Sequence, residues 1–250
     1  MIFNLLFLFF TALVAGLAVL LFPKGKDFNI KLTLVFAGSY LFSITIIHIL
    51  PEIFSGNDNP ADIGIFILIG FFLQLLLEYF TSGVEHGHIH NSSRSTHNHS
   101  HAHISPIVLL LALCVHAFLE GTLLSHPSEL HQHNDVKPLL FGIILHKMPA
   151  AFALMTVLLY ELHNKNRAII YLVIFCLASP LGLVTSYIFN QHDLISENSF
   201  TILYALVSGN FLHISTTIFF ESSPEHKFNA KKLGVSLIGA AIAVFAEYIM

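Results

Sequence analysis

His116 and Glu120 stand four residues apart in the apolar run LLLALCVHAFLEGTLLS. Four residues are about one helical turn, so a helix there puts the imidazole and the carboxylate on one face. A second apolar run, FGIILHKMPAAFAL, carries His146 and Lys147 just before an internal proline, Pro149. Imidazole nitrogen and carboxylate oxygen are ordinary ligands of a borderline divalent cation such as Zn²⁺. Two imidazoles and one carboxylate leave a fourth position for water or a weak ligand, which suits a site that must release its ion. Burying such groups in hydrocarbon costs a few kcal/mol each, and a shared cation offsets that cost. The competing reading is a hydrogen-bonded His/Glu pair that only holds two helices together. His146 on the next run, with the histidines elsewhere, favours the metal. Lys147 needs a carboxylate if it is buried, and Glu120 is its expected partner. Its central depth argues against snorkelling to an interface.

These groups must be positioned by membrane-spanning helices. Of 250 residues, 55% are hydrophobic and only 10% charged, and the mean hydropathy is +0.74. A soluble domain carries roughly a quarter of its residues charged. A soluble globular protein and a disordered chain are therefore excluded, and a net charge of −4 excludes a nucleic-acid binder. A membrane helix needs about 20 apolar residues. Eight stretches qualify: 2–22, 32–50, 62–80, 105–125, 138–160, 168–190, 200–220 and 232–250. The first lacks a basic leader and is long for a signal peptide, so it is read as a helix. Pro149 and Pro180 fall inside spans and are expected to kink them. Most other prolines fall near span ends, where a missing N–H is tolerated. Cys114 and Cys176 lie inside apolar runs and read as small buried hydrophobes.

Lysine and arginine set the orientation. The odd loops carry Lys24, Lys26, Lys31, Arg94, Lys165, Arg167, Lys227, Lys231 and Lys232, and the even loops carry Lys137 alone. The odd loops are thus expected in the cytoplasm, with both termini outside, in a multi-pass protein of the cell membrane. The chain reads as one transmembrane domain, 1–250, with a cytoplasmic loop at 81–104.

Histidine is the compositional outlier, with 17 residues against 11 Lys plus Arg. His86, His88 and His90, then His97, His99, His101 and His103, alternate along the 81–104 loop. Such a tract can gather a borderline metal with little geometric demand, or it can be a solvated linker. His126, His131 and His133 in an outer loop are read with less weight. His48 and His213 are read as satisfied packing residues rather than ligands, although His213 is deep enough to line a pathway.

These residues resemble the ZIP (Zrt/Irt-like) family of divalent metal transporters. The second span ends in His48-Ile-Leu-Pro51-Glu52, like the family's HLLPE, and the third runs through Glu78 into the histidine tract. The fourth carries His116-Ala-Phe-Leu-Glu120-Gly121, similar to HNFxDG or HNFPEG, and the fifth carries His146-Lys147-Met-Pro149-Ala150, similar to HKxP or HExPHE. The sixth has Ser179-Pro180-Leu181-Gly182, like SPLG or EPLG, and the seventh has Gly209-Asn-Phe-Leu, like G-T-F-L-Y. The resemblance implies an all-α fold of eight helices in a 3+2+3 bundle, transport toward the cytoplasm, and metal held between the fourth and fifth spans. In two-metal members of the family, the positions matching Ala117, Lys147, Ala150 and Ser179 surround a second ion. None of these is a good ligand, so the chain resembles a single-site, HK-bearing branch in which the Lys147 ammonium substitutes for the second ion's charge. Ala150 also removes one ligand of the first site. In the seventh span His213 stands at the family's aromatic position, and Glu221 comes about a turn after its late acidic position.

The function expected is carriage of a divalent cation, with Zn²⁺ as transported substrate and Fe²⁺, Mn²⁺ and Co²⁺ as alternatives that the same ligands accept. Its partners are the metal ion and the lipid bilayer, with no nucleic acid, and a homodimer stays open. An intramembrane metalloenzyme would need a positioned general base, as in His-Glu-x-x-His, and no such motif occurs in the sequence. A sensor reading through the histidine tract is the other alternative.

Overall fold

The computed structural model describes residues 1–21, 30–55, 59–81, 105–125, 136–192, 194, 196–221 and 230–249. Among them the regular structure is all helical. The helices are α1 (Ile2–Ala18), α2 (Ile30–Ile44), α3 (Leu50–Ser55), α4 (Pro60–Thr81), α5 (Pro106–Thr122), α6 (Lys137–Leu162), α7 (Lys165–Gln191), α8 (Glu197–Glu221) and α9 (Ala230–Ile249). Short 3₁₀ turns extend α1 and α5, and a π turn, Thr45–Ile49, joins α2 to α3. The second span is therefore α2 with α3, and the fourth and fifth spans are α5 and α6. Among the described residues, eight helical stretches are long and apolar enough to cross a membrane, as expected.

Prolines explain several boundaries. Pro60 and Pro106 open α4 and α5, and Pro138 is the second residue of α6, where the missing N–H has no intrahelical partner to lose. Pro51 does not end its span at residue 50. The π turn changes the hydrogen-bond register immediately before it, and the helix continues to Ser55. α6 and α7 also continue through Pro149 and Pro180. Each of those prolines withholds an N–H from the carbonyl four residues earlier, at Leu145 and Cys176.

Spans one to three meet spans six to eight: α1 packs on α7, α2 on α9 and α4 on α8. α5 and α6 make contacts with both sets, which is the 3+2+3 arrangement. One apolar core, with Leu113, Ala117, Ala151, Leu154, Leu172 and Phe175 in it, binds α1, α5, α6 and α7 together. A second, with Tyr40, Ile44, Ile143, Leu183 and Phe211, joins these helices to α2, α8 and α9. α5 and α7 approach so closely that a methyl group on Gly121 would fall 2.0 Å from the Ser179 carbonyl oxygen. Glycine is what permits this backbone contact, and it fixes the height of α5 against α7 next to the site described below.

The outer surface is the reverse of a soluble protein's. Phe3, Leu6 and Phe10 of α1, Leu68 and Phe72 of α4, and Leu237 and Phe245 of α9 are exposed. Ser39, Gln74, His116, Glu120, His146, Lys147 and Asn210 are buried. Apolar faces outward and polar groups inward are what a bilayer requires.

Candidate metal centre

α5 presents His116 and Glu120 from successive turns of one face, 4% and 1% exposed. His116 Nε2 lies 3.1 Å from Glu120 Oε1. α6 brings His146, 1% exposed, with its Nε2 4.0 Å from the same carboxylate oxygen. The two imidazole rings stand at 90° with centroids 5.8 Å apart. One ligand atom from each of the three residues falls within 4.8 Å of the others. Two ligands about 2.0–2.1 Å from one tetrahedral ion stand about 3.3 Å apart. The two distances to Glu120 bracket that spacing, so side-chain movements on the order of an ångström would let the three residues share one divalent cation.

Lys147, expected to pair with Glu120, interacts with that carboxylate through charge but gives its hydrogen bond to another helix. It follows His146 in the helix and so points about 100° around the axis from it, toward α7. Its ammonium donates a hydrogen bond to Ser179 Oγ and lies 5.0 Å from the centroid of the Phe175 ring, a cation–π geometry. Ser179 Oγ in turn donates to the Ala117 carbonyl, at 2.6 Å. Three of the four positions that the resemblance associates with a second ion are thus tied together around the lysine charge. Ala150, the fourth, is buried beside them in the sequence-adjacent turn of α6.

His48 and His213 each face a carboxylate of a remote helix, and His48 also faces Glu52 one turn further along its own chain. His48 Nδ1 is 2.8 Å from Glu247 Oε1 of α9, and its Nε2 is 3.8 Å from Glu52 Oε2 of α3. The π turn is the element that carries His48 into this position, and such turns recur at functional sites. His213 Nε2 is 3.4 Å from Glu78 Oε2 of α4, and its ring meets Phe71 edge-on, with centroids 4.7 Å apart. The His48–Glu247 and His213–Glu78 pairings join distant parts of the chain, so no local pattern announces them. His86, His88, His90, His97, His99, His101 and His103, and the outer histidines 126, 131 and 133, lie outside the described residues.

A family described as ZIP Zinc transporter matches residues 88–247, a segment that includes α5 to α8 and most of α9. Zinc transporter ZIP9-B of Xenopus laevis is 31% identical over 160 residues, 62% of this chain and 51% of that protein. Zinc transporter ZIP9 of Micropogonias undulatus is 29% identical over 163 residues, 62% of this chain and 50% of that protein. Protein zntD of Dictyostelium discoideum is 24% identical over 148 residues, 58% and 21% of the two chains. The chain spans about half the length of the ZIP9 relatives it matches. With well over half of its residues matched, among them the buried His116, Glu120 and His146, the chain belongs to the ZIP family.

Proposed function

We propose that the chain carries a divalent metal ion, Zn²⁺ in the first place, across a membrane toward the cytoplasm, and that His116, Glu120 and His146 hold the ion on its way. The observation that carries this reading is the convergence of two imidazoles on one carboxylate oxygen inside a lipid-facing bundle. Nothing apolar about the bundle needs these groups. A passing cation makes their burial tolerable. The family description and the names of the ZIP9 relatives support zinc as the cargo, while Fe²⁺, Mn²⁺ and Co²⁺ remain substrates that the ligand chemistry accepts.

Lys147 serves as the fixed charge in place of a second ion, held by Ser179 and Phe175. The 1–250 chain works as one transmembrane domain in the cell membrane with both termini outside, following the lysine and arginine bias, and the homodimer is the oligomer to look for. The histidine tract at 86–103 is a metal-gathering cytoplasmic loop. Metal-resolved uptake into proteoliposomes tests the reading. His116→Ala, His146→Ala and Glu120→Gln should each abolish zinc flux at unchanged protein level. Normal flux in His116→Ala would refute the site.

A further inference from the structure

α4 and α8 pack as closely as α5 and α7 do: a methyl group on Gly70 would fall 1.9 Å from the Leu206 carbonyl oxygen. The facing stripes are residues 67, 70, 71, 74 and 78 of α4 and 206, 209, 210 and 213 of α8. Both have helical spacing for a single face, fixed by the backbone contact at Gly70, the Phe71–His213 ring contact and the Glu78–His213 approach. One turn beyond the glycine contact the stripes stop being apolar. Gln74 and Asn210 are fully buried there, and the next turn holds Glu78 and His213, whose side chains are 14% and 4% exposed. Four polar groups on two successive turns of the same seam are costly where leucine would pack.

Two features separate this cluster from simple helix glue. Both amide atoms of Asn210 are buried without a hydrogen-bond partner among the described residues, and glue that leaves a buried amide unsatisfied loses more than it gains. His213 Nε2 and Glu78 Oε2 are 3.4 Å apart, close to the spacing of about 3.3 Å between two ligands of one tetrahedral cation. The chemistry is one imidazole, one carboxylate and one amide carbonyl, a mixed N/O set with a net charge of −1 when the imidazole is neutral. The seam's polar turns lie toward the end of α4 that leads into a loop read from its lysine and arginine count as cytoplasmic.

We propose that Glu78, His213 and Asn210 form a second, separate binding site for a divalent cation at the α4–α8 seam, a resting place for the ion between the central trio and the inner face. The proposal rests on the reading of the chain as a carrier. It is tested by equilibrium binding of Co²⁺ to the full chain in detergent, counting ions per chain relative to the unaltered protein, so that loop histidines cancel. Glu78→Gln with His213→Leu should remove one ion. His116→Ala with His146→Ala should remove a different one, and the combined variant should remove two. Asn210→Leu, which a structural amide would tolerate, should weaken one Co²⁺ equilibrium several-fold. His213→Cys should keep the ion and add a thiolate-to-cobalt charge-transfer band, lost again with Glu78→Gln. An unchanged count in Glu78→Gln/His213→Leu, or no new band in His213→Cys, overturns the site. A loss confined to the α4–α8 variants keeps it and overturns the trio instead.

Discussion

One oxygen of Glu120 faces both imidazoles, which makes it the central ligand of the proposed site. Glu120→Gln keeps the shape and removes the charge, and it should cost more uptake than Glu120→Asp, which keeps the charge on a shorter arm; initial zinc flux measures the difference. The trio was legible in the sequence because its parts are local: an i, i+4 pair, a second imidazole in the next span, and the expense of burying either. The partner of Lys147 was not legible, since Ser179 and Phe175 come from another helix. An ammonium next to a cation site repels the cargo and so favours release. Lys147→Met should therefore lower both the apparent KM and the turnover, while Lys147→Arg should stay closer to the unaltered protein. Imidazole must be neutral to bind a metal, so uptake should fall as the pH drops below about 6. A flux that rises steadily through that range would exclude imidazole ligation.

At the scale of the element, eight spans could be read from length and apolarity alone, because hydrocarbon thickness sets both. What spans touch could not. The α4–α8 and α5–α7 seams depend on single glycines whose neighbours are carbonyls of a remote helix, and glycine in an apolar run looks the same with or without such a neighbour. The π turn at Thr45–Ile49 was likewise hidden, and Pro51 looked like a stop because its register shift is invisible in sequence. Gly121→Ala puts a methyl group onto a backbone oxygen that cannot rotate away. It should destabilise the α5–α7 seam by about 1–3 kcal/mol, read as a lower thermal midpoint in detergent, and uptake should fall with it because His116 and Glu120 ride on α5.

At the scale of the whole molecule, the described residues have an apolar exterior suited to lipid and polar groups gathered inside. The histidine tract is read as a metal-gathering loop and not as part of the path, so a chain lacking residues 86–103 should keep zinc uptake with altered regulation. Complete loss of flux in that deletion, at normal expression, would make the tract part of the path. The enclosure of the trio has a kinetic corollary. His116, Glu120, His146 and Lys147 are each at most 4% accessible, so in this conformation an ion there is shut off from both aqueous phases. Exchange must wait for packed helices to part, on the microsecond-to-second scale of collective motions. Throughput should then saturate at modest turnover, steepen sharply on warming, and give no unitary current steps in a planar bilayer.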